Sequence, residues 1–81
     1  MNFLNLKYFI VTAEEMNFTK AAKRLFISQQ SLSNHIAKLE DYFGVQLFDR
    51  NTPLTLTDAG ESLLKSARKI LNVKQEAELE L

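Results

Sequence analysis

Two short amphipathic segments, separated by only three residues, constrain the fold of this chain more than any other feature. They cover about residues 18–25 and 29–43. Each follows a residue whose side-chain oxygen can accept a hydrogen bond from a free helix amide, Asn17 for the first and Ser28 for the second. Two helices joined by so short a turn must cross at a sharp angle, which is the spacing of a helix-turn-helix unit.

The apolar pattern predicts which side of each helix is buried. In the shorter segment, Ala21 and Ala22 are small enough for the close backbone approach that a sharp crossing needs. In the longer segment, apolar residues recur at i, i+4, i+7 and i+11, which places them on one helix face. These residues are Leu32, Ile36, Leu39 and Phe43. The predicted aromatic core consists of Phe9, Phe18, Phe26, Phe43 and Phe48.

The remaining segments predict a mainly α fold with one small β-hairpin. A first helix is expected at about residues 4–15, because apolar residues recur there at helical spacing. Gly44 supplies a left-handed helix stop. The period then changes, and residues 45–50 and 54–56 have strand character around a turn-forming Asn-Thr-Pro sequence. Thr57 caps a final helix at about residues 58–78.

Charge is distributed unevenly along the chain. Ten basic and ten acidic residues give a net charge of zero, which argues against binding nucleic acid by electrostatics alone. Residues 16–39, however, contain four basic residues and no acidic one. The four are Lys20, Lys23, Arg24 and Lys38. This distribution predicts a face that meets an anionic partner, and an ordinary solvated helix face is the alternative.

The side of the 29–43 helix that faces away from the core is polar but carries no charge at its beginning. It presents Gln29, Gln30, Ser33 and Asn34. Lysine and glutamate usually dominate a helix face that is only solvated. Amides and hydroxyls in their place indicate a surface that makes specific hydrogen bonds.

The final helix contains more apolar residues than one edge of a small core can cover. The surplus predicts a partner helix from a second copy of the chain, and therefore a homodimer or a higher homo-oligomer. The expected dimerisation residues are Leu63, Leu64, Ala67, Ile70, Leu71 and Val73.

The composition gives no support for an enzyme. Two glycines cannot form a phosphate-cradling loop, cysteine is absent, and His35 is the only histidine. Neither a nucleophile with its base nor a set of metal ligands is predicted, and no cofactor is expected. The first residues contain no signal peptide or membrane span, so no membrane association and a cytoplasmic location are expected.

The order of three helices, a hairpin and a last helix resembles that of the LysR-type bacterial transcriptional regulators, and the resemblance covers nearly the whole chain. The matching residues are Leu6 and Phe9, Phe18-Thr19-Lys20-Ala21-Ala22, Leu25, Ile27-Ser28-Gln29, Leu32-Ser33, Ile36, Leu39-Glu40, Gly44, Leu47-Phe48 with Arg50, and Leu56-Thr57-Asp58-Ala59-Gly60. A set this dense is much more specific than a single motif.

The resemblance implies a winged helix-turn-helix fold with a three-helix core. Residues 1–57 would form a DNA-binding domain, with the helix-turn-helix at about 18–37 and the wing at about 45–56, and residues 58–81 a linker or dimerisation helix. Helix 29–43 would enter the major groove of an inverted-repeat operator bound by a homodimer. The resemblance also implies a C-terminal effector-binding domain, for which 81 residues are expected to leave no room, so a small-molecule effector is expected only through that domain and not through these residues.

Two positions depart from the family pattern at the start of the third helix. Gln30 stands where proline is common, and Asn34 where arginine is common. Glutamine and asparagine can each contact adenine through two hydrogen bonds, whereas arginine prefers guanine, so an A·T-leaning half-site is expected. The turn of the wing, Asn51-Thr52-Pro53, also lacks arginine, which leaves Arg50 as the nearest cation, either contacting DNA or pairing with an acid. The expected DNA-binding residues are Lys20, Lys23, Arg24, Ser28, Gln29, Gln30, Ser33, Asn34, Lys38 and Arg50.

A helical protein-interaction adaptor that does not bind DNA is the alternative function. Helix-turn-helix folds also serve as adaptors, and the net charge of zero is compatible with that role. The salt dependence of binding distinguishes the two, because DNA binding weakens steeply as salt concentration rises.

Overall fold

The computed structural model describes all 81 residues and confirms the mainly α fold. The elements are α1 (Phe3–Glu15), α2 (Phe18–Leu25), α3 (Gln29–Phe43), β1 (Phe48–Asp49), β2 (Thr55–Leu56) and α4 (Asp58–Glu80). The two strands form an antiparallel hairpin in which Phe48 pairs with Leu56. Each strand has two residues, so the predicted strands were too long. None of the helices combines the length and the apolar character that crossing a membrane requires.

The predicted helix caps are confirmed. The side chains of Asn17, Ser28 and Thr57 accept hydrogen bonds from backbone amides three residues later, at 2.9, 3.0 and 3.0 Å. Gly44 ends α3 in the left-handed conformation, with φ of 69°. Asn2 caps α1 in the same way as the other three caps, although this cap was not predicted from the sequence.

The turn between α2 and α3 contradicts one core prediction. Phe26 is 95% exposed, so it does not belong to the core. It ends α2 in the left-handed conformation, with φ of 57°, where a side chain with a Cβ is strained. The backbone amide of Phe26 donates to the carbonyl of Lys23, and that of Ile27 to the carbonyl of Ala22. The turn therefore closes through its backbone, while the phenyl ring projects into solvent.

Replacing Phe26 by glycine should raise the free energy of unfolding by about 0.5–1 kcal/mol. Relief of the left-handed conformation exceeds the backbone entropy that glycine adds to the unfolded chain, and no buried surface is lost. Met16→Gly is the matched control, because Met16 is also left-handed but packs against the core. Thermal unfolding of both variants checks this. A Phe26→Gly variant less stable than the unmodified chain would show that the ring stabilises the fold.

The core forms where α1 meets the other three helices. Phe9 and Phe48 are fully buried, and their rings meet edge to face at 5.5 Å between centroids. Phe18 meets Phe48 in the same way. The hairpin is therefore joined to the helices through the Phe48 ring.

Phe43, at the end of α3, is 41% exposed, so its assignment to the buried core was wrong.

The first half of α4 completes this core, and the second half leaves it. Gly60 and Ala67 are buried, whereas every residue after Lys74 is exposed. The assignment of Ala67 to a dimer surface is wrong, because its side chain is fully covered by its own chain. The backbone amide of Thr57 donates to the carbonyl of Leu47 at 3.0 Å, which fixes the start of α4 to the wing.

Candidate nucleic-acid interface

A groove runs between the beginning of α2, the polar face of α3 and the wing. Gln29 and Ser33 form its α3 side, Thr19 its α2 side, and Arg50 its wing side. Gln29 is exposed, and Ser33 is half-buried. These residues are distant along the chain, and the sharp crossing of α2 and α3 and the return of the hairpin bring them together. The result is a concave surface with these polar residues on its walls, and its lining also includes Met16, Phe18 and Leu54.

Two hydrogen bonds hold the amides of this face. The Thr19 hydroxyl donates to Oε1 of Gln29 at 3.0 Å. At the next residue of α3, Nε2 of Gln30 donates to Oδ1 of Asn34, one helical turn further on, at 3.3 Å. Because each carbonyl oxygen accepts from within the protein, the amide N–H groups of Gln29 and Asn34 remain available as donors to a ligand. Ser28 is engaged as the cap of α3.

Three of the predicted phosphate-contacting cations are unpaired. Lys20, Lys23 and Lys38 are exposed and take part in none of the ion pairs of the chain. Lys20 and Lys23 lie on α2, and Lys38 lies on α3 beyond the amide pair. Their charges are therefore available to an anionic ligand.

Arg24 is placed differently from these lysines. Its guanidinium lies 2.9 Å from the Glu14 carboxylate and 3.1 Å from the Glu15 carboxylate, both at the end of α1. Hydrogen bonds from Arg24 to Glu14 and then Glu15 raise the pKa of this guanidinium above its ordinary value. The two acids offset its charge, so the predicted phosphate contact of Arg24 has to compete with them.

Arg50 joins the wing to α3. Its Nη2 lies 3.0 Å from Oε1 of Glu40, and its guanidinium stands 5.5 Å from the centre of the Phe18 ring. Oε2 of Glu40 also accepts from the backbone amide of Leu47 at 2.8 Å. Burial raises the pKa of Glu40, but the hydrogen bonds from Arg50 and Leu47 outweigh it, so the pKa is lowered overall. Of the two roles open to Arg50, the structure shows the ion pair.

Replacing Glu40 by glutamine should cost about 1 kcal/mol at neutral pH, because the ion pair with the exposed Arg50 is lost while the glutamine oxygen can still accept from the Leu47 amide. A lowered pKa in the folded state contributes stability above the unfolded pKa, and that contribution is lost as pH falls through the folded pKa. The stability difference between Glu40→Gln and the unmodified chain should therefore shrink below the ordinary carboxyl value of 4.5. Denaturant unfolding between pH 7 and pH 3 measures it. An unchanged difference would contradict the ion-pair account.

His35 has a structural environment. Its Nδ1 accepts a hydrogen bond from Nδ2 of Asn5 at 2.6 Å, and its ring meets Tyr8 edge to face at 4.7 Å. Both contacts tie α3 to α1. No group of three or more residues of the metal-ligating types lies together anywhere in the chain.

A second surface lies between α1 and the second half of α4. It is an apolar groove whose walls are formed by Phe3 of α1 and by Ile70, Val73 and Ala77 of α4. Val73 is 63% exposed and Phe3 is 50% exposed. Ile70 is half-buried. Phe3 was not predicted to belong to a binding surface, because the apolar pattern of α1 indicates only a core helix.

Of the predicted DNA-binding residues, Gln29, Ser33 and Arg50 line the groove, and Gln30 pairs with Asn34 on the exposed side of α3. Besides Phe3, sequence reasoning missed Thr19 and Glu40, although both were among the residues that carry the family resemblance. Neither residue type by itself signals a role. Only the crossing of α2 over α3 and the return of the hairpin to α3 place them against Gln29 and Arg50.

Comparison with known proteins agrees with this geometry. A family model described as "Bacterial regulatory helix-turn-helix protein, lysR family" matches residues 3–61. The chain is 43% identical to the transcriptional regulator BsdA of Bacillus subtilis, over all of this chain and 29% of that protein. It is 46% identical to the transcriptional regulator XapR of Escherichia coli, over 82% of this chain and 23% of that protein. The chain thus spans less than a third of the length of either regulator.

Solved structures show the same fold bound to DNA. The chain matches the DNA complex of the CbnR DNA-binding domain with a TM-score of 0.94 and 40% identity, covering 99% of this chain and 93% of that one. It matches the BenM DNA-binding domain on the catB site 1 DNA with a TM-score of 0.90 and 39% identity, covering 99% and 92%. The similarity therefore extends over α4 as well as over the helix-turn-helix.

Proposed function

This chain belongs to the lysR family of bacterial regulatory helix-turn-helix proteins, and on that premise we propose that it binds double-stranded DNA in a sequence-specific manner as part of a transcriptional regulator. In this proposal α3 enters the major groove, with its first two turns facing the bases. The chain acts as a binding module and not as an enzyme, and it works where the chromosome lies, in the cytoplasm.

The observation that carries this proposal is the uncharged face at the beginning of α3, together with exposed, unpaired lysines on α2 and α3. Amide and hydroxyl groups at Gln29, Gln30, Ser33 and Asn34 can reach base edges, which differ in their pattern of donors and acceptors. Lys20 and Lys23 on α2 and Lys38 on α3 can contact phosphates on either side of the groove, which fixes position without reading sequence. An adaptor surface for another protein would not need this separation of roles.

The wing contributes less to this proposed contact than the family resemblance implies. Arg50 is the one arginine between its strands, and Arg50 is held by Glu40. We therefore assign base reading to α3 and give Arg50 the task of fixing the angle between the wing and α3. Asn51, whose backbone amide donates to the Asp49 side chain, lies at the tip and is uncharged.

Two copies would bind together. The apolar groove between α1 and α4 supports a homodimer, because Phe3 and Val73 present large exposed apolar surface beside the half-buried Ile70 and Leu71. A two-fold dimer places two copies of α3 in successive major grooves, so the operator is an inverted repeat. Small-molecule control would belong to a further domain such as the longer relatives have room for.

The test is the salt dependence of binding to a mixed-sequence duplex. Log affinity falls as log salt concentration rises. If Lys20 or Lys23 contacts a phosphate, its replacement by methionine should make this negative slope shallower by about 0.9. Lys65→Met is the matched control, because Lys65 is exposed beside Asp58 and Glu61 on α4, and its slope should stay unchanged. Binding that does not weaken with salt in the unmodified chain would favour the adaptor alternative.

A further inference from the structure

We propose that Gln30 and Asn34 read the base sequence as one coupled unit, in which Gln30 orients the amide of Asn34 toward the DNA. The inference rests on the proposed function, since it concerns the same face of α3. It adds a specific assignment to that function: the pair recognises an A·T base pair at one position of each half-site.

The geometry of the pair is simple. The two residues are four positions apart, so they face each other on the helix surface. Nε2 of Gln30 donates to Oδ1 of Asn34 at 3.3 Å, and this is the only side-chain hydrogen bond that either residue makes within the protein. Both side chains are exposed, with no core contact to hold them. The bond between the two amides is therefore what sets their common orientation.

This orientation determines which hydrogen-bonding groups point outward. With Oδ1 of Asn34 accepting from Gln30, the Nδ2 group of Asn34 is the donor that faces a ligand. Oε1 of Gln30 has no partner in the protein, so it faces a ligand as an acceptor. The pair therefore offers one donor and one acceptor side by side.

Adenine is the base whose major-groove edge presents one donor, the N6 amino group, next to one acceptor, N7. Asn34 can donate to N7 while Gln30 accepts from N6. Guanine presents two acceptors, N7 and O6, so Oε1 of Gln30 would face an acceptor without a hydrogen between them. The coupled amides thus favour adenine and disfavour guanine at this position.

The pair also accounts for two sequence departures together. Proline at position 30 has no amide to donate, and arginine at position 34 has no oxygen to accept, so the family pattern cannot form this bond.

The experiment uses the duplex that the unmodified chain selects most strongly from a random-sequence library. Affinities are measured for the unmodified chain, Gln30→Ala, Asn34→Ala and the double variant, on this duplex and on versions with each base pair changed in turn. We expect Asn34→Ala to weaken binding by about 5- to 150-fold and to relax the preference at one A·T pair. Gln30→Ala should relax the preference at that same base pair.

The double variant decides whether the two residues are coupled. Its fold-loss of affinity should be smaller, by about threefold or more, than the product of the fold-losses of the two single variants. The reason is that the second substitution removes little once the pair is broken. Gln29 provides the matched control, since its amide bonds to Thr19 and not to Asn34. The Gln29→Ala and Asn34→Ala losses should multiply within about twofold.

The coupling would be overturned if the affinity losses of Gln30→Ala and Asn34→Ala multiplied in the double variant. It would also be overturned if the two variants relaxed the base preference at two different base pairs. A selected G·C pair at the Asn34-dependent position would overturn the assignment to adenine. These outcomes differ from failure of the proposed function itself, in which the unmodified chain would select no sequence from the library.

Discussion

A Val73→Glu variant is expected to be a folded monomer that binds its operator about a hundred- to ten-thousand-fold more weakly than the unmodified chain. Val73 is 63% exposed on α4, beside Phe3 across the apolar groove. A carboxylate there would have to be desolvated when two copies meet. Without the dimer, binding at the second half-site is no longer intramolecular, which accounts for the size of the effect.

Asn72→Glu is the matched control. It adds the same charge on the same helix at an exposed position that does not line the groove, so it should leave dimerisation and binding nearly unchanged. Sedimentation at high micromolar concentration measures the association state, and titration of a palindromic duplex measures affinity. Val73 is a better position for the charge than Ile70. Because Ile70 packs against the core, a charge there would destabilise the fold as well as the dimer. A Val73→Glu chain that still dimerises would contradict the assignment of this surface.

The second large effect is expected at Gly60, where alanine should destabilise the fold by about 3 kcal/mol. A Cβ at this position would overlap the carbonyl oxygen of Leu47 and lie 2.9 Å from Cδ2 of Leu56. The backbone oxygen cannot move without breaking its hydrogen bond to the Thr57 amide. Since a chain of 81 residues has a total stability of about 4–12 kcal/mol, the variant loses a large share of it.

The other glycine provides the comparison. Gly44 has φ of 69°, and nothing lies within 4 Å of a Cβ added there. Gly44→Ala should therefore cost only about 1 kcal/mol, from conformational strain alone. Denaturant unfolding of both variants tests the order. Intrinsic helix propensity predicts the reverse at Gly60, because alanine is about 1 kcal/mol better than glycine inside a helix, so a stabilised Gly60→Ala chain would show that the wing is not fixed against α4.

The helices could be predicted from the sequence because their signals are local. The caps at Asn17, Ser28 and Thr57 and the stop at Gly44 lie next to the turns that they form, and helical periodicity identified Leu32, Ile36 and Leu39 as buried. The ends of the strands could not be predicted. Each strand has only two residues, and the packing of the hairpin against α3 and α4 determines which residues pair. Apolar character also misplaced Phe26, because it cannot distinguish a core ring from one carried on a left-handed turn.

The candidate site was predicted in its residue types but not in its pairings. Glu14 and Glu15 lie outside the basic segment in the sequence, yet the fold brings them within hydrogen-bonding distance of Arg24. The bond between Gln30 and Asn34 could have been expected from their spacing, whereas the Glu40 contact to Arg50 depends on where the wing returns. Periodicity in the sequence predicts which face of a helix is exposed. Tertiary packing decides which charged side chains on that face remain without an ion-pair partner.

Selection of bound sequences from a random duplex library tests the central claim most directly. If α3 reads bases and two copies bind together, repeated rounds of binding and amplification should enrich an inverted repeat whose half-sites are centred about one helical turn apart, or a multiple of it. Each half-site should contain the A·T pair whose preference depends on Asn34. Recovered sequences that match the starting library in base composition, with no repeat, would contradict sequence-specific DNA binding by this chain.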